Sequence, residues 1–207
     1  MNSNWAEENL QTIRTLMERS ALYRRALAPI MLFTGAIGIL AAGVGLRFRM
    51  EEPREFAELW LGTAVVAVAG AFLLARRQAI KDQEPFWSPP TRRVGQALLP
   101  PLLSGLFVGA VLVVPDANWL MDFAMAVAWI LFYGCALNSA GFFMTRGIKW
   151  FGWIMIIGAM GVVFLLLLSN SSLRPWGSNL VMGLFFGVLH LAYGVYLYLT
   201  EKRKNAA

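Results

Sequence analysis

The chain has 207 residues, of which 58% are apolar and 14% charged, with 19 glycines and a formal net charge of +6. Soluble domains run at roughly 45–50% apolar and about a quarter charged. An apolar excess of this size cannot be hidden in one core while the surface is still covered with polar side chains, so a soluble enzyme is excluded. The positive charge is spread over short connections and not gathered on a folded domain, which argues against nucleic acid as a partner.

The reading that remains is an all-α integral membrane protein: a six-transmembrane-helix bundle with an N-terminal amphipathic helix at the cytoplasmic interface. Residues 1–26 form the N-terminal element. On a helical wheel Leu10, Ile13, Met17 and their apolar neighbours gather on one arc, opposite Glu7, Arg14, Glu18 and Arg25. Such a helix lies along the membrane surface or docks onto a protein, and Leu10, Ile13 and Met17 are the contact candidates. The first apolar run follows this polar stretch without a small-residue cleavage site, so it reads as a retained span and not a signal peptide.

Residues 27–200 hold six apolar runs, each near the roughly 20 residues needed to cross about 30 Å of hydrocarbon. They are Leu27 to Leu46, Ala57 to Ala75, Ala97 to Val114, Trp119 to Phe142, Trp150 to Leu168 and Ser178 to Thr200. The second connection, with Pro85, Phe86, Trp87, Pro89 and Pro90, reads as a stiff extended segment whose Phe86–Trp87 pair can meet the interface or a partner. Thr91 is the expected N-cap of the following helix, and Pro100 with Pro101 the expected site of a bend. Residues 201–207 are a short basic tail.

Of the 18 lysines and arginines, 14 fall on the side of the two termini and the second and fourth connections, and four on the other. The positive-inside rule then places both termini in the cytoplasm, in what we read as a bacterial inner membrane. Trp60, Trp119 and Trp176 mark one interface, and Trp87, Trp150 and Trp153 the other. Trp129 falls near mid-span, where its N–H needs a partner.

Small residues recur at packing spacing. Gly35, Gly38 and Gly45 form a stripe on span one, Gly105 and Gly109 a GxxxG pair on span three, and Gly183, Gly187 and Gly194 a stripe on span six. These read as close helix packing within one chain, with self-association into a homo-oligomer as the alternative.

Ionisable and polar groups inside the bilayer are the place to look for function. His190 falls on the span-six glycine stripe with Tyr193 one turn on, so it faces a neighbouring helix. Asp122 lies about one turn inside the end of span four, where water is expected to reach it, and Asn138 is on a different face of that span. Glu51, Glu55 and Glu58 share a face, but Arg47, Arg49 and Arg54 beside them favour charge pairing over a cation site.

Enzyme classes fare poorly against this inventory. The rhomboid intramembrane proteases carry a GxSG serine, whereas Asn138-Ser139-Ala140-Gly141 lacks the first glycine and sits far in depth from His190. One histidine is short of a zinc hydrolase or a bis-histidine haem bundle, which leaves ligation by His190 with one of the ten methionines as the haem geometry still open; the lone Cys135 builds no disulfide or metal cluster, and no phosphate-cradling Gly-Lys motif occurs. No catalytic residues, metal ligands or cofactor are therefore assigned. The expected function is a non-catalytic accessory, sensing or scaffold component with a partner-docking cytoplasmic face. The alternative is a small permease or channel with His190 near the path, and a membrane-embedded enzyme comes third.

Overall fold

The computed structural model describes residues 3–50, 52–83, 85–114, 119–168 and 177–206, and their side chains from residue 26 to residue 200 except Pro90 and Trp119. Every element is helical: α1 (Ser3–Phe48), α2 (Pro53–Lys81), α3 (Pro89–Val113), α4 (Trp119–Ala140), α5 (Arg146–Leu168), α6 (Gly177–Met182), a π-helical segment (Gly183–Val188) and α7 (Leu189–Ala206). The last three run on as one rod. Among the described residues six stretches are long and apolar enough to cross a membrane, from 21 to 29 residues each. At 1.5 Å per residue the shortest still covers the hydrocarbon thickness of about 30 Å.

The expected N-terminal helix is not separate. Its backbone continues through Pro29 into the first span as one helix of 46 residues, while the faces of Leu10, Ile13 and Met17 lie outside the described side chains. The second connection also differs in detail. Ser88, not Thr91, is the N-cap of α3, and Pro89 and Pro90 open that helix. Proline suits the first turn, where its missing N–H has no intrahelical partner to lose. Thr91 instead donates its hydroxyl to the Phe86 carbonyl at 2.9 Å, and Ser88 Oγ donates to Thr91 Oγ1 at 3.0 Å, which clamps the Phe86–Trp87 turn onto the start of α3.

The helices pack as two groups of three. α1 packs on α2 and on the sixth span, α4 packs on α3 and α5, and the groups meet along α2, α4 and α6. Within the first group the glycine stripes of spans one and six face one another. A Cβ on Gly38 would sit 2.5 Å from the Phe186 carbonyl oxygen, and one on Gly35 would sit 2.6 Å from the Leu191 nitrogen. Gly187 packs on Ile39, Gly194 on Leu32, and Gly183 on Ala42. Backbone meets backbone along this crossing, which only residues without side chains allow. In the second group Gly105 and Gly109 admit the side chains of Phe132 and Trp129, and Trp129 Nε1 donates to the Gly105 carbonyl at 3.0 Å.

Trp60 departs from the expected interfacial belt. It is 3% exposed and packs in the core, donating Nε1 to Asn179 Oδ1 at 2.9 Å. Trp87, by contrast, is 67% exposed. On the exposed face at the start of α2, Arg54 pairs with Glu58 at 2.9 Å one turn on.

Candidate functional site

The two groups of helices meet through aromatic rings. Phe56 of α2 stacks on Trp129 of α4 with centroids 6.0 Å apart, and Tyr133 of α4 lies 5.0 Å from Phe186 of the π-helical segment. Further along, Phe151 of α5 meets the His190 ring edge-on at 4.9 Å and stacks on Tyr193 at 4.8 Å. Large rings fill this seam, whereas the crossing of α1 with the sixth span brings backbone against backbone.

His190 sits in this seam and is fully buried. Counting from Gly177, it lies about 20 Å along the sixth span at 1.5 Å per residue. Its Nδ1 is 2.8 Å from the Phe185 carbonyl and its Nε2 3.0 Å from the Tyr133 hydroxyl. A carbonyl can only accept, so Nδ1 carries the hydrogen, and Nε2 of the neutral ring accepts from Tyr133. Both nitrogens are thereby engaged, one within its own rod and one across the seam.

The local backbone explains the aim of this side chain. In the π-helical segment the Leu189 N–H reaches back to the Leu184 carbonyl, five residues away, so the turn is wider than an α-turn. A regular 4-3-4 spacing would put His190 on the glycine face towards α1. The structure leaves Gly183 and Gly187 against α1 and turns His190 towards Tyr133 and Phe151. Simple periodicity could not anticipate that rotation, because a π-turn leaves no sequence mark beyond the bulky Phe185–Phe186 pair between two glycines.

The other polar candidates occupy different depths. Asp122 is fully buried, which corrects the expectation that water reaches it, although Leu120 in the same turn is 44% exposed. Asn138 is near the opposite end of α4, so the two belong to different sites. Towards the face bearing the termini, Tyr193 Oη, Asn138 Nδ2 and Thr145 Oγ1 are buried without a hydrogen bond from a described residue. Tyr193 Oη packs against Gly147 at the start of α5.

A second polar centre was not read from the sequence. Asn179, fully buried at the start of the sixth span, accepts from Trp60 and donates Nδ2 to the Met50 carbonyl at 2.9 Å. It thus ties the end of α1, α2 and α6 together, and Gly45 of the α1 stripe leaves room for its amide. The only available signal was an Asn beside an apolar run, which is easily taken for a loop residue.

Among the described residues no three His, Cys, Asp or Glu side chains converge on a point that could hold a metal ion. Near His190 the structure shows a ring cluster tied by two hydrogen bonds, an arrangement suited to fixing helices relative to one another. No protein-family model, curated protein or solved structure matches this chain.

Proposed function

We propose that this chain is a non-catalytic polytopic membrane component, an accessory, sensing or scaffold subunit that presents its basic face to a partner. The observation that carries the reading is the engagement of His190 at both nitrogens inside an aromatic seam. A histidine so held serves to fix the two helix groups, whereas a carrier of protons or solutes needs a group that can exchange partners. The exposed Trp87 in a clamped turn supplies a fixed aromatic contact on the face with the basic connections. The 14-to-four distribution of basic residues supports placing that face and both termini in the cytoplasm of a bacterium, with the inner membrane as the location.

The test has two arms. Deleting residues 1–22, or replacing Phe86 and Trp87 with Ala, is expected to release co-purifying proteins while the bundle still elutes as a single species; retention of every such protein overturns the docking reading. In proteoliposomes His190→Ala is expected to leave proton and solute flux unchanged.

A second reading, a small permease or channel, draws on the π-helical segment beside His190 and on the buried Tyr193, Thr145 and Asn138 groups leading from the seam towards the basic face. Altered flux in His190→Ala decides for it and against the first.

A further inference from the structure

The strongest feature left outside the seam is a furrow on the lipid-facing side. Because α2 packs on α1 and α3 packs on α4, the two helices touch one another only sparingly. Between them runs an open groove of about 800 Å³ whose walls include Leu61, Val65, Val68 and Phe72 of α2 and Leu106 of α3, with Ala69 also on its lining. On α2 it extends from Leu61 to Leu73. At 1.5 Å per residue that is about 18 Å, more than half of a hydrocarbon core about 30 Å thick. Centred on the middle of Pro53–Lys81, the groove crosses the middle of the membrane, and its part from Val65 to Leu73 lies on the side of the termini.

Its two ends differ in charge. Towards the face bearing the termini, the groove stripe of α2 continues one turn beyond Phe72 to Arg76, which is exposed. On α3 the stripe through Leu106 and Leu99 runs back to Arg92, also exposed. Arg77, Lys81 and Arg93 flank them. The acidic side chains of this connection are Asp82, which accepts from Gln78 Nε2 at 2.9 Å, and Glu84, so cations predominate. Phe86 folds back from the connection to meet Phe72 edge-on at 4.9 Å, beside the basic end of the groove.

We propose that the half of this groove nearer the termini is a binding site for one anionic phospholipid of the leaflet on the basic side, with an acyl chain lying along α2 between Val65 and Phe72 and the phosphate held by Arg76 and Arg92. The apolar lining takes a hydrocarbon chain and no polar segment. Guanidinium groups bind phosphate oxygens in pairs. Basic residues at the membrane surface favour anionic lipid, so the two arginines correspond to a preference of about tenfold or more over a zwitterionic lipid.

Native mass spectrometry of the full chain, released from detergent with equimolar phosphatidylglycerol and phosphatidylcholine of identical acyl chains, reads the preference directly. The first bound lipid is expected to be phosphatidylglycerol by about tenfold or more. The Arg76→Gln/Arg92→Gln variant should bring the ratio near one, and Arg146→Gln/Lys202→Gln, which removes equal charge elsewhere on the same face, should leave it intact. Ala69→Trp, which fills the groove, should weaken retention of both lipids. Equal occupancy of the two lipids in the wild type, or an undiminished preference in the arginine variant, overturns the proposal. So does a photocrosslinker at position 68 that captures a protein helix in native membranes and not phospholipid.

Discussion

Asn179 shows how a single polar side chain can carry the far end of the bundle. Its amide uses one acceptor and one donor on two different helices, and replacing it with Leu leaves the Trp60 N–H without its partner in the core. Each orphaned buried group costs about 1–3 kcal/mol. Asn179→Leu and Trp60→Phe are each expected to lower thermal stability in detergent. The double variant should lose less than the sum of the two, since it removes both partners of the bond at once; strict additivity would show that the bond contributes nothing. Tyr133→Phe makes a milder case, leaving His190 Nε2 without a donor. It is expected to cost about 1 kcal/mol in the same melting experiment without altering ring packing. The residue scale is also where the sequence was least legible. His190 stood out because ionisable groups are rare in an apolar span, and Tyr193 because it lies one turn away, but Tyr133 and Phe151 look like ordinary span residues until the fold brings them to the histidine.

At the scale of elements, the glycine crossing between α1 and the sixth span makes a sharp contrast with the glycines elsewhere. A methyl group at Gly38 meets the Phe186 carbonyl, which belongs to a backbone that cannot yield without moving the whole rod, whereas a methyl group at Gly43 meets nothing within 4 Å. Gly38→Ala is therefore expected to destabilise the protein in a detergent melt. Gly43→Ala should be neutral or slightly stabilising, because Ala exceeds Gly in helix propensity by up to about 1 kcal/mol. Equal effects at both positions would remove the crossing as the explanation. The stripes themselves were legible, since a 3-4 repeat of small residues is a direct record of close packing. That the two stripes meet each other was not, because spacing within one helix says nothing about its neighbour. The start of α3 was misread for a similar reason: Pro89 and Pro90 taken alone suggest extended chain, and only the Ser88 cap before them turns the pair into a helix opening.

The whole molecule is organised as two helix triads joined by rings, and its six apolar stretches were legible from composition alone because length and hydropathy are nearly the only requirements for crossing a bilayer. Their orientation is a separate matter of charge. With cysteines at positions 52 and 117 in a Cys135→Ser background, an impermeant maleimide applied to intact cells is expected to label both sites, and a cysteine at position 83 should react only after the membrane is opened. Protection of 52 and 117 would reverse the assigned orientation. The pairing of α1 with the sixth span also has a bearing on biosynthesis. The triad of α3, α4 and α5 is made of sequence neighbours and can assemble as the chain emerges, but the glycine face of α1 gains its partner only when the sixth span is inserted. A nascent chain ending at Leu168 would hold one finished triad and one open pair, so the sixth span acts as the latch on the first triad, and its loss is expected to unsettle α1 more than α3, α4 and α5.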